Sequence, residues 1–122
     1  MLPRARFLRL VRHALAELPP PFQQRLSNVD IVVKRRPDRD DRRNAGLGPG
    51  ETLYGFYSGV PLTERSEYGF VLPDKITIFQ QPLERDFPDQ AELVEEVRKT
   101  VLHEIAHHFG LSDEKLAEMG MD

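Results

Sequence analysis

Cysteine is absent from the 122 residues. That single absence excludes disulfides, thiolate nucleophiles and cysteine zinc sites together, so any metal must be held by His, Asp or Glu. No apolar run approaches the ~20 residues of a membrane span. The stretch from Met1 to His13 mixes basic and apolar residues, but Arg4, Arg6, Arg9 and Arg12 interrupt it too often to leave a signal-peptide core. A cytoplasmic location and no membrane partner are therefore expected. Charge of either sign is not in large excess: the net value of −3 gives no global reason to expect nucleic acid. With 39% hydrophobic residues the chain can bury one modest core, and a single domain over residues 1–122 is expected.

The residues that carry chemistry are concentrated near the C-terminus. His103 and His107 stand four apart, and Glu104 directly follows the first. On a helix, at 100° per residue, the two imidazoles lie about 40° apart on one face and can bind one metal ion. The glutamate is then placed to activate a water on that metal. Gly110 comes three residues after His107, where a helix can stop in the left-handed conformation that glycine adopts without strain. Asp113 follows three residues later, so the chain can turn back and offer a third ligand, and a carboxylate is an acceptable one for zinc. Glu114 is the next candidate for that position. The longer pattern is that of metzincins except that aspartate stands where their third histidine does.

The same wheel places Val94, Val97, Val101, Leu102, Ile105 and Phe109 on one broad arc, with His103 and His107 on the other side. This helix packs by one face and presents ligands from the other. His108 falls inside the apolar arc, about 140° from His103, and reads as a core-edge histidine rather than a ligand.

Upstream, Pro3 suits a first helical position, and Phe7, Leu8, Val11, Ala14, Leu15 and Leu18 recur at helical spacing until Pro19. The apolar face of this basic amphipathic helix is expected to pack on a sheet. A short helical turn is expected around Phe22 to Leu26. Val29 to Val33, Leu53 to Tyr57 and Lys75 to Phe79 read as strands. Between the first two, Lys34 to Gly50 holds six basic and three acidic side chains with almost no apolar ones, which fits a long mobile loop. Asp89 with Glu92 three residues on marks the start of the long helix, and Glu95 to Lys99 makes an i,i+4 pair on it. Ser112 can cap a last short helix running to Met119.

On the motif, and on segments such as Leu53 to Gly59 and Pro82 to Pro88, the chain resembles the small bacterial single-domain zincin-like metallopeptidases over nearly its full length. The resemblance implies an α+β, minimal metzincin-like fold with an N-terminal helix, a three- to four-stranded mixed sheet, a long active-site helix and a short C-terminal helix. It also implies zinc on His103, His107 and Asp113, with Glu104 catalytic. Met119 and Met121 are the candidates for a methionine-containing turn beneath the metal.

These residues allow metal-assisted hydrolysis of a peptide or protein substrate. Two neutral imidazoles and one carboxylate leave zinc a fourth position for water, and Glu104 is the proton acceptor. Tyr54, Tyr57, Tyr68 and Arg65 are candidate donors to the oxyanion. Three rival readings stand beside this one: a metal-dependent endoribonuclease, a non-catalytic protein whose metal ties the C-terminal helix to the core, and a 2-His-1-carboxylate iron site. An extended substrate needs a sheet edge, and Leu53 to Tyr57 is the expected edge, with Gly55 leaving room for a neighbouring backbone. The alternative is an inner strand with Gly55 at a tight packing point.

Overall fold

Phe7, Leu10, Val11 and Ala14, recurring every three or four residues, turn one side of the first helix, α1 (Arg4–Ala16), into an apolar stripe that is buried. The structure is a computed structural model and describes residues 1–26, 29–59, 74–108 and 113–118. In chain order the elements are α1, α2 (Pro20–Arg25), β1 (Val29–Lys34), α3 (Arg39–Asn44), β2 (Gly55–Ser58), β3 (Asp74–Phe79), α4 (Gln80–Asp86), α5 (Gln90–His108) and α6 (Asp113–Glu118).

The sheet order is β1-β3-β2. β1 runs parallel to β3, with Val29 opposite Asp74 and Lys34 opposite Phe79, and β2 runs antiparallel to it, with Gly55 opposite Ile78 and Ser58 opposite Lys75. β3 is thus the central strand. Its residues Ile76, Thr77, Ile78 and Phe79 are all buried, so both of its faces are covered, as a strand flanked on two sides and two faces requires. The chain leaves β3 directly into α4, with Phe79 as the boundary residue, and Gln80 then fixes the N-terminal arm by donating to Leu2 O at 2.7 Å and Glu84 Oε2 at 2.7 Å.

α5 is the helix on which the rest is stacked. Asp89 caps it, accepting the Glu92 amide at 3.1 Å. Leu93, Val97, Val101, Leu102, Ile105 and Ala106 are buried, and they join Phe7, Val11, Ile76, Ile78 and Leu83 in one core cluster. A fully buried Val, Leu or Ile contributes roughly 1.5–3 kcal/mol, whereas an exposed helical ion pair gives at most about 1 kcal/mol. The apolar face therefore decides where α5 sits, and its charged face is secondary.

Several details differ from the sequence reading. α1 packs chiefly on α5, not on the sheet, since its buried stripe joins that of α5 in the core. Lys34 to Gly50 is not a structureless loop: Asp38 and Asp41 form a reciprocal capping box that starts α3, and Lys34 Nζ holds both carboxylates at 2.8 and 2.6 Å. Glu95 pairs with Arg98 at 2.6 Å rather than with Lys99, which lies 3.7 Å from Glu96; the Arg98 fork sits closer to the helix surface and takes both oxygens. Among the described residues no helix is long and apolar enough to cross a membrane.

Candidate active site

Gly55 decides how closely the site helix approaches the sheet. A Cβ built there would lie 2.5 Å from Thr100 Cγ2 and 3.3 Å from the carbonyl oxygen of Thr77, so only a residue without a side chain lets α5 seat on β2. The space beside Gly55 is thus filled by the methyl of Thr100, not kept for an incoming backbone. Tight packing and an edge position coexist here, since among the described residues β2 has β3 as its one strand neighbour.

One turn further along α5 the approach brings Glu104 to the strand. Phe79 donates its amide to Tyr54 O at 2.9 Å, and the alternation of an antiparallel ladder then directs the Gly55 and Tyr57 main-chain groups away from β3. The outward Tyr57 N–H is taken by Glu104 Oε2 at 2.8 Å. A charge-assisted bond of this kind fixes the carboxylate against the side of β2 that faces away from β3. His103 precedes it on α5, half-buried as Glu104 is.

His107 follows one turn later within α5, and Asp113 opens α6, which packs back on α5. The side chains of His107, His108 and Asp113 lie outside the described residues, as do Phe109, Gly110, Ser112, Met119 and Met121. Among the described residues there is no group of three or more ligating side chains, a set that does not include His107 or Asp113. By residue type, two imidazoles four residues apart on α5 and a carboxylate at the first position of α6 make up a nitrogen and oxygen donor set of the kind that suits zinc.

Of the proposed oxyanion donors, Tyr68 and Arg65 lie outside the described residues. The Tyr54 hydroxyl is engaged elsewhere, donating to Asp86 Oδ2 at the end of α4 while its ring packs tilted on Phe87 at 5.7 Å. That hydrogen bond, aided by burial, pushes its pKa up to about 12. Tyr57 contributes through its main chain, a role with no signature in a side-chain pattern.

The model of the zincin-like metallopeptidase family matches residues 26–121. The chain belongs to that family. A solved structure of a conserved hypothetical protein from Thermo thermophilus is similar, with 26% identity, 96% of this chain and 99% of that chain covered, and a TM-score of 0.58. None of the curated proteins matches it. The α+β architecture, with its mixed sheet and long helix, is that of a zincin-like protein.

Proposed function

We propose that this chain is a zinc-dependent peptide hydrolase in which His103, His107 and Asp113 hold the metal and Glu104 is the base. The reading is supported first by family membership. The single observation that carries it further is the Tyr57 N–H to Glu104 Oε2 hydrogen bond, which holds the glutamate next to His103 at the side of β2 away from β3. Zinc, when bound by two imidazoles and a carboxylate, supplies a Lewis acid for the carbonyl and lowers the pKa of water toward neutrality.

The chain's own residues do the rest. Glu104 accepts the proton of the attacking water and returns it to the leaving amine. The outward main-chain groups of Gly55 are hydrogen-bonding positions of the kind an extended peptide needs if it adds itself beside β2. The Glu104 carboxylate takes the next outward amide, that of Tyr57, which sets the base two residues along the strand from Gly55.

The test is a peptide-library digest by the zinc-loaded protein with Glu104→Gln as control. Glutamine keeps the shape but cannot accept the proton, so hydrolysis should fall by about a hundredfold or more with near-normal zinc content. Loss of zinc in that variant would make Glu104 a ligand instead, and unchanged hydrolysis would remove it from the chemistry.

A further inference from the structure

Charge is divided unevenly along the chain: residues 1–50 hold eleven Lys and Arg against five Asp and Glu, and residues 51–122 hold six against fifteen. The fold collects part of the basic half at one end of the sheet, where β1 and β3 finish and β2 begins, closed by the Gln81 amide donating to Arg35 O at 2.7 Å. A cleft of about 190 Å³ opens there, lined by Arg36, Arg42 and Arg85 together with Glu51, Thr52 and Leu53.

Arg42 is held in place by neutral groups, and Arg85 by a hydroxyl and a carboxylate. Arg42 donates to Gly48 O at 3.0 Å and Glu51 O at 3.2 Å, and Arg85 to Thr52 Oγ1 at 3.3 Å. Asp86 answers Arg85 at 3.1 Å, whereas Arg36 is exposed and makes no ion pair among the described residues. The nearby carboxylates of Asp38 and Asp41 are spent on Lys34. Three arginines against Glu51 in the lining and Asp86 on Arg85 leave the cleft an excess of about one positive charge, which favours an anionic occupant, and a planar guanidinium fork matches a carboxylate in particular.

The cleft borders the segment that leads into β2. Thr52 and Leu53 immediately precede the ladder, and four residues of extended chain separate Leu53 from Tyr57, about 13 Å at 3.3 Å per residue. We propose that Arg36, Arg42 and Arg85 form a specificity site for an aspartate or glutamate side chain of the substrate, four to five residues to one side of the scissile bond. The inference rests on the reading of this chain as a peptide hydrolase. A peptide suits the site better than RNA does. The cleft holds one or two carboxylates rather than a phosphate track, and the acidic second half, including Glu92, Glu95 and Glu96 on α5, repels a long polyanion.

The experiment measures fluorescence anisotropy of labelled peptides on full-length, zinc-loaded Glu104→Gln. Three dodecapeptides share a cleavable centre found with the active protein. One carries paired glutamates near its N-terminus, one near its C-terminus, and one carries glutamines at all those positions. One of the glutamate peptides should bind about tenfold tighter than the glutamine peptide at low salt, the gain expected of a charge-assisted pair. Adding Arg36→Gln should remove that preference while leaving affinity for the glutamine peptide and the zinc content unchanged. Equal binding of all three, with cleavage of the glutamine peptide intact, would overturn the cleft and spare the hydrolase. Failure of any peptide to bind or be cleaved would overturn the hydrolase reading and this inference with it. Salt-sensitive binding of a single-stranded RNA 12-mer through Arg36, in place of the acidic peptides, would overturn it in favour of a nucleic-acid partner.

Discussion

Adding one methyl group at Gly55 tests how closely the helix bearing the site is seated on the sheet. The new Cβ would lie 2.5 Å from Thr100 Cγ2, where ordinary carbon contacts need about 3.5–4.0 Å, so roughly 1 Å must be found. Thr100 cannot swing aside freely. Its χ1 is restricted by β-branching, and its hydroxyl donates to Glu96 O at 2.7 Å, a bond it would give up on turning. Overpacking of this kind costs about 1–3 kcal/mol, and the reduced freedom of alanine in the unfolded chain returns about 0.4–1 kcal/mol. Taking the middle of each range, Gly55→Ala should therefore lose about 1.3 kcal/mol, read as a Tm lower by roughly 4–7 °C for a chain of this size. Thr100→Ser deletes the offending methyl and keeps the hydroxyl. Combined with Gly55→Ala it should recover at least about half the loss, a coupling that urea titration of the four proteins in a double-mutant cycle measures directly. A Gly55→Ala protein as stable as the parent, or a loss that Thr100→Ser leaves untouched, would refute the packing argument.

Other outcomes follow from the site and its surroundings. His103→Ala and His107→Ala should each lose most of their zinc affinity in a chelator competition, because only two strong ligands would remain; retention of affinity in either would displace that residue from the site. Asp113→His should hold zinc better than Asp113→Ala, and equal loss in both would move the third ligand elsewhere, with Glu114 next. The pH dependence of α3 has a definite sign. The Lys34 hydrogen bond, helped by the Asp41 amide, holds the Asp38 carboxyl down at about 2, so the cap is complete above the ordinary value near 4 and is lost as the pH falls toward 2. The Asp41 amide shift, followed by NMR, should report that transition, and a midpoint at the ordinary value would contradict it.

The long helix was legible because its two requirements, an apolar arc and a ligand face, are written with different residue types at helical spacing; Val97, Val101, Leu102 and Ile105 are all buried as that arc demands. β1 and β3 were legible from β-branched density, and β3 gained one residue at Asp74. β2 starts two residues later and ends one residue later than the expected Leu53 to Tyr57, since aromatic content marks a strand without marking where its ladder begins. α3 was missed because an almost wholly polar helix has no periodicity to detect; its only signal, Asp38 with Asp41 three residues on, is a capping pattern without the apolar run that usually follows it. α4 was hidden by Pro82, which a short helix accepts within its first turn. In the site, the types and spacing of His103, Glu104 and His107 could be read directly. The Tyr57 amide could not, because every residue but proline carries that donor, and only the register of β2 on β3 selects which ones face outward.

The most direct measurement for the central claim is X-ray absorption at the zinc edge on the protein loaded with metal and quantified by elemental analysis. About one zinc per chain is expected, four-coordinate, with two imidazole nitrogens near 2.0–2.1 Å, one carboxylate oxygen and one exchangeable oxygen from water. A metal-free protein under zinc excess, or a closed shell of four protein ligands with no exchangeable oxygen, would contradict the assignment of this site to hydrolysis.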